Sequence, residues 1–145
     1  MSLYSFHMLN PIMLDSLWPQ LMVHLERVIK VSNGEFTEET LYNRAMSGGS
    51  VIVTVNMGSD IIAVTTIEIV TYDSGLKSLL IPIFGGDKMF SWGEDFIVFL
   101  KMLAKQFNCT ELRGMAVRDG WMRALKSKGW IETYSVIKLP LDDEL

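Results

Sequence analysis

The order of apolar and polar positions changes period several times along the chain. Tyr4 to Leu9 is a short apolar and aromatic run that predicts a strand, and Asn10-Pro11 turns the chain after it. Leu14, Leu17, Trp18, Leu21, Met22, Leu25, Val28 and Ile29 then recur at three- and four-residue spacing, the stripe of an amphipathic helix. Pro19 is tolerated only near a first turn, so the helix is expected to start near Asp15, with Asp15 as its cap. A second, shorter helix is expected from the cap Thr37 and the acids Glu38 and Glu39, ending at Gly48-Gly49. From Val51 the period becomes that of strands. Val51 to Val55, Ile61 to Tyr72 and Leu76 to Phe84 are β-rich runs separated by Gly58-Ser59-Asp60 and Asp73-Ser74-Gly75. Turns this short carry an antiparallel meander, not a parallel crossover. Pro82 cannot donate to a ladder, so pairing should stop or bulge there.

The helical period returns in Trp92, Phe96, Phe99, Leu100, Leu103 and Phe107, with Ser91-Trp92-Gly93-Glu94 fitting a capping box at the start. Leu112 to Val117 predicts a strand, Trp121 to Lys128 a short helix stopped by Gly129, and Ile131 to Leu139 a last strand closed by Pro140. The predicted order is strand, helix, helix, three strands, helix, strand, helix, strand. It implies an α/β (α+β) fold: a mixed, mostly antiparallel sheet of about six strands with helices on both faces. The strand–long helix–strand step should be a parallel crossover.

Composition narrows the class without naming a function. The chain has 145 residues, the length of one domain, and 49% hydrophobic with 21% charged residues is a globular balance. Ten Met and four Trp suit an adaptable, well-filled core. A net charge of −4 argues against bulk attraction to nucleic acid. The single cysteine, Cys109, excludes a disulfide within the chain, and His7 and His24 lack metal-ligand spacing, so no metal is expected. No apolar run approaches the roughly 18 residues of a membrane span, and no signal peptide is apparent. A cytoplasmic or virion-associated location follows as the expectation. Asp142 to Leu145 reads as a solvated acidic tail.

The sharpest local pattern is Arg118-Asp119-Gly120-Trp121-Met122-Arg123-Ala124-Leu125-Lys126-Ser127-Lys128-Gly129-Trp130. Together with the element order from Tyr4 to Leu139, it resembles the GNAT superfamily of acyl-CoA-dependent N-acetyltransferases, in which this helix often runs into Lys-x-Gly-Phe, an ending taken here by Gly129-Trp130. The stretch Arg118-x-Gly120-Trp121-x-Arg123-x-Leu125-Lys126 is similar to small GNAT-like proteins of tailed phages and prophages.

The resemblance implies acetyl-CoA as cofactor and an amine as acceptor. It implies that the strand Leu76 to Phe84 offers backbone at Ile81, Ile83 and Phe84 to the pantetheine chain. It also implies a phosphate-cradling loop before the long helix, for which the best match is Lys88-Met89-Phe90-Ser91-Trp92-Gly93, with Ser91 and Gly93 at the small positions. That loop departs from the family pattern in its bulky Phe90 and Trp92 and in the neighbouring acids Asp87, Glu94 and Asp95. Arg118 and Arg123, in a locally basic segment, are candidates for the cofactor's phosphates.

The family's proton-donating tyrosine would fall at Leu125, which has no proton to give; Tyr134 is the nearest alternative phenol. Glu68 is the best-placed carboxylate for a base. Two readings therefore stand: an N-acetyltransferase, or a non-catalytic phage structural or host-interaction protein that keeps the fold.

Overall fold

A computed structural model describes residues 3–32, 34–86, 89–115 and 119–141. The chain divides into two compact units, Met1–Met115 and Ala116–Leu145.

The first unit is built on a five-stranded sheet in the order β1-β2-β3-β4-β5: β1 Tyr4–Met8, β2 Val51–Met57, β3 Asp60–Thr71, β4 Lys77–Gly86 and β5 Glu111–Gly114. The first four strands pair antiparallel, and β4 pairs parallel with β5, as the short turns and the long helical connection require. Helix α3, Met89–Gln106, makes that connection, and α1, Leu14–Lys30, and α2, Glu38–Ser47, join β1 to β2.

Two cores form because alternate residues of each strand point to opposite faces. Val53, Val55, Ala63, Ile67 and Leu79 pack with Trp92, Phe96, Leu100, Leu103 and Ala104 of α3. Ile52, Val64 and Ile83 pack with Leu14, Leu21 and Leu25 of α1 and Leu41 and Ala45 of α2. The mixed sheet with helices on both faces is thus the architecture that the pattern predicts.

Several boundaries differ from the expectation, each for a local reason. A 3-10 turn, Pro11–Met13, precedes α1 and is capped by the Asn10 side chain, which accepts from the Ile12 N–H at 3.1 Å. Asp15 therefore sits in the first turn of α1 instead of capping it, and Pro19 lies inside the helix. The Asp15 carboxylate accepts from the Tyr42 hydroxyl of α2, which raises the Tyr42 pKa because the neutral phenol is the form that donates. The α2 cap is as expected: Thr37 accepts from the Thr40 N–H at 3.1 Å, and Thr40 accepts in return from the Thr37 N–H at 2.9 Å. Gly48, at φ 84°, closes the helix in a left-handed conformation.

Helix α3 begins at Met89, two residues before Ser91, so Ser91 is a first-turn residue and not a cap. β5 is described over Glu111–Gly114, one residue earlier at its start than expected; Ala116 and Val117 of the predicted strand lie outside the described residues.

In the second unit, α4 spans Asp119–Lys126 and Gly129 follows at φ 96°. Residues 131–141 form no strand, so the predicted strand Ile131 to Leu139 is not realised, and its large apolar side chains are exposed.

Gly86 ends β4 opposite Ala63. A Cβ there would lie 2.3 Å from the Ala63 Cβ and 2.5 Å from its Cα, at a φ of 155°. Gly86→Ala is expected to lower unfolding free energy by about 1–3 kcal/mol in urea titration. Glu111 accepts from Ser78 at 2.7 Å and pairs with Arg113, which together hold its carboxyl below the ordinary value of 4.5, the guanidinium contributing most. A depressed carboxylate pKa stabilises the fold above the unfolded pKa, and the contribution is lost as pH falls through the folded value. The stability gap between the native protein and Glu111→Gln should be present at pH 7 and close below about pH 4.5.

Candidate functional site

The site is set by one irregularity in β4. β4 pairs with β5 at Ser78, Leu79, Leu80 and Ile81, opposite Glu111, Leu112, Arg113 and Gly114. Beyond Ile81 the ladder to β5 stops, apart from the Met115 N–H donating to the Ile81 carbonyl at 3.3 Å. Pro82 is the next residue and has no N–H to offer. β4 nevertheless continues its ladder with β3 through Gly86. Residues 83–86 therefore have a paired edge toward β3 and, among the described residues, an unpaired edge on the other side.

Pro82 also shifts the register. Glu68 faces Leu80 and Thr66 faces Ile83, so two β4 residues, Ile81 and Pro82, oppose the single Ile67. The bulge puts Leu80 and Ile83 on the same face although they are three residues apart. Ile83 is buried in the α1–α2 core. Ile81 and Phe84 pack on the α3 side. The Phe84 ring stacks on Trp92 with centroids 5.2 Å apart and meets Phe96 edge-on at 5.9 Å. This aromatic contact fixes the start of α3 against the end of β4.

The sequence-derived site residues fall into three groups. Ile81, Ile83 and Phe84 lie along the unpaired stretch of β4 or at its start, and Ser91 and Gly93 lie in the opening turns of α3, one residue either side of the Trp92 that stacks on Phe84. Glu68 is on the neighbouring strand, level with the bulge. Arg123, on α4, and Tyr134, 68% exposed in the segment after it, belong to the second unit. Lys88 and Arg118 lie outside the described residues.

Ser91 belongs to the first four residues of α3, whose N–H groups have no partner within the helix; Gly93 is past them, so its N–H is committed to the helical ladder. An anion at this end would thus meet backbone from Met89 to Trp92.

Two features near Glu68 have no local signature in the sequence. Arg44 of α2 forms an ion pair with the Glu68 carboxylate, whose side chain is 15% exposed. Arg44 is 24 residues away in sequence, and only the packing of α2 on the sheet brings the two together. The Thr66 hydroxyl, two residues before Glu68 and on the same face, is buried and has no hydrogen-bond partner among the described residues. β3 runs past its last β2 partner, Val51, and a cavity of about 230 Å³ opens there beside Glu68, lined mainly by Met8, Val51, Ile67, Ile69 and Phe107. Among the described residues, no cluster of His, Cys, Asp or Glu is able to hold a metal ion, and no helix is long and apolar enough to cross a membrane.

No family model and no curated protein matches the chain. Solved structures do. An aminoglycoside acetyltransferase from an uncultured soil metagenomic sample, solved with sisomicin, superposes with a TM-score of 0.70 over 97% of this chain and 96% of its own, at 14% identity. A GNAT family acetyltransferase of Staphylococcus aureus gives 0.67 over 97% of this chain and 100% of its own, at 15% identity. A ribosomal-protein-alanine N-acetyltransferase of Brucella melitensis biovar Abortus gives 0.70 over 96% and 99%, at 10% identity. With the split in β4 and the α3 start beside it, these likenesses show that the chain has the fold of the GNAT acetyltransferases.

Proposed function

We propose that the protein is an acyl-CoA-dependent N-acetyltransferase. The observation that carries this reading is the one-sided edge of residues 83–86, placed directly before the N-terminus of α3. An unpaired strand edge hydrogen-bonds a ligand that presents amides in a row, and the pantetheine arm of coenzyme A does so. The N–H groups of the first turn of α3 carry the positive end of the helix dipole and suit the cofactor's pyrophosphate. The bound cofactor supplies the acyl group as a thioester.

The fold neighbours named for their acceptors act on aminoglycosides and on a protein alanine, which supports an amine as acceptor here. Glu68 is the carboxylate beside the bulge and takes the amine proton in this reading; Arg44 is a positioning residue that orients it. The phage-type assignment rests on the stretch Arg118 to Lys126 alone.

Calorimetric titration with acetyl-CoA tests the proposal. Saturable binding is expected, with a rise in stability of about 2.7 kcal/mol at a hundredfold excess over Kd. Absence of binding at millimolar ligand overturns it. Ser91→Glu adds a charge that favours the helix start but repels a pyrophosphate, so affinity should fall several-fold with no loss of Tm. Glu68→Gln should lower kcat by about a hundredfold or more while leaving acetyl-CoA affinity unchanged. Binding without transfer to any amine would instead support the non-catalytic reading.

A further inference from the structure

The ladder between β2 and β3 ends at Val51 and Ile67, so from Glu68 onward β3 has no partner on its β2 side among the described residues. The cavity of about 230 Å³ lies at this edge. Side chains alternate along a strand: Ile67 and Ile69 take the α3 face, and Glu68, between them, takes the face where Arg44 of α2 meets it. A small ligand seated at an open edge can touch side chains of both faces.

The wall is apolar and incompletely covered. Met8 is 45% exposed, Ile69 41% and Phe107 39%, and these residues of β1, β3 and the turn after α3 meet at this one place. Single exposed apolar side chains are ordinary, but several gathered around one concavity mark a surface that takes a ligand. Among the described residues that line the cavity, Glu68 alone carries a charge. Its side chain is 15% exposed, and Arg44 donates to one of its oxygens, Oε1. A carboxylate accepts at both oxygens, so a second donor has a place.

We propose that the cavity takes an amphipathic primary amine: a compact alkyl or aryl group among Met8, Val51, Ile69 and Phe107, with its ammonium on Glu68. That this amine is the acyl acceptor rests on the acetyltransferase reading; that it binds here does not. An apolar cavity of about 150 Å³ holds benzene, so this one has room for roughly nine non-hydrogen atoms. A polyhydroxylated amine suits the site poorly. Its hydroxyls would leave water for Met, Val, Ile and Phe side chains that offer no hydrogen bond in return.

NMR titration of the full chain with ethylamine, butylamine, hexylamine, octylamine and decylamine tests this without acetyl-CoA. Affinity should rise about two- to fourfold per added methylene and level off once roughly nine non-hydrogen atoms fill the cavity. Hexan-1-ol, the neutral counterpart of hexylamine, should bind about tenfold more weakly. Glu68→Gln should abolish that difference. Ile69→Trp fills the cavity from a half-exposed position and should flatten the chain-length series, with circular dichroism showing the variant folded.

Transfer assays then separate the two readings. With acetyl-CoA present, kcat/KM should follow the same chain-length order. Alkylamines that bind as described to a protein that takes no acetyl-CoA would overturn the acetyltransferase reading and leave the amine site standing. A flat series in native protein, hexan-1-ol binding as tightly as hexylamine, or an ammonium preference that survives Glu68→Gln each overturns the amine site, whether or not acetyl-CoA binds.

Discussion

A proline cannot give a hydrogen bond to a sheet, and the candidate site follows from that single deficit. Pro82 stands in the bulge of β4, where it and Ile81 oppose the single Ile67 of β3, and the ladder to β5 ends at Ile81, the residue before it. The strand responds by bulging toward β3 and by ending its pairing with β5 one residue earlier. Both responses have consequences. The bulge keeps Ile83 in the α1–α2 core and Ile81 and Phe84 on the α3 side, so apolar residues line both faces across the irregularity. The lost pairing leaves a backbone edge of β4 open among the described residues.

That opening is held by packing on either side. Phe84 stacks on Trp92, and Trp92 meets Phe96 edge-on with centroids 5.6 Å apart. Aromatic pairs of this kind contribute about 0.5–1.5 kcal/mol beyond their buried area. They fix the first turns of α3 close after the unpaired strand. Gly86 is needed for the same juxtaposition: the chain passes so close to Ala63 that no side chain fits, and α3 starts three residues later. Free edge and helix N-terminus are therefore products of one local geometry, and a ligand with amides at one end and phosphates at the other matches both.

The parts of this arrangement that are written locally were legible in the sequence. Pro82 announces a break wherever it stands in a strand. The stripe from Leu14 to Ile29, the cap at Thr37 and the β-branched meander each depend on neighbours a few residues away. The start of α3 was not legible, because Ser91-Trp92-Gly93-Glu94 has the residues of a capping box while burial of Trp92 draws the helix two residues further back. The strand predicted at Ile131 to Leu139 fails for the opposite reason: its local preference is strong, but a strand exists only when an edge pairs with it. Arg44 was invisible for want of any local pattern, since its meeting with Glu68 is decided by how α2 lies on the sheet.

That meeting also separates what is rigid in the site from what is exchangeable. Arg44 is 46% exposed, and ion pairs with one partner in solvent are worth about 0–1 kcal/mol. Breaking the pair costs little compared with disturbing Trp92 or Ile83, both buried in well-packed cores. Glu68 then differs from a free surface acid in that its carboxylate is already oriented before any amine arrives, and the entropy of fixing it is spent in folding, not in binding. On the proposed reading, the apolar cores hold the frame in which the acyl donor would bind, and a weak ion pair sits at the carboxylate that would meet the acceptor.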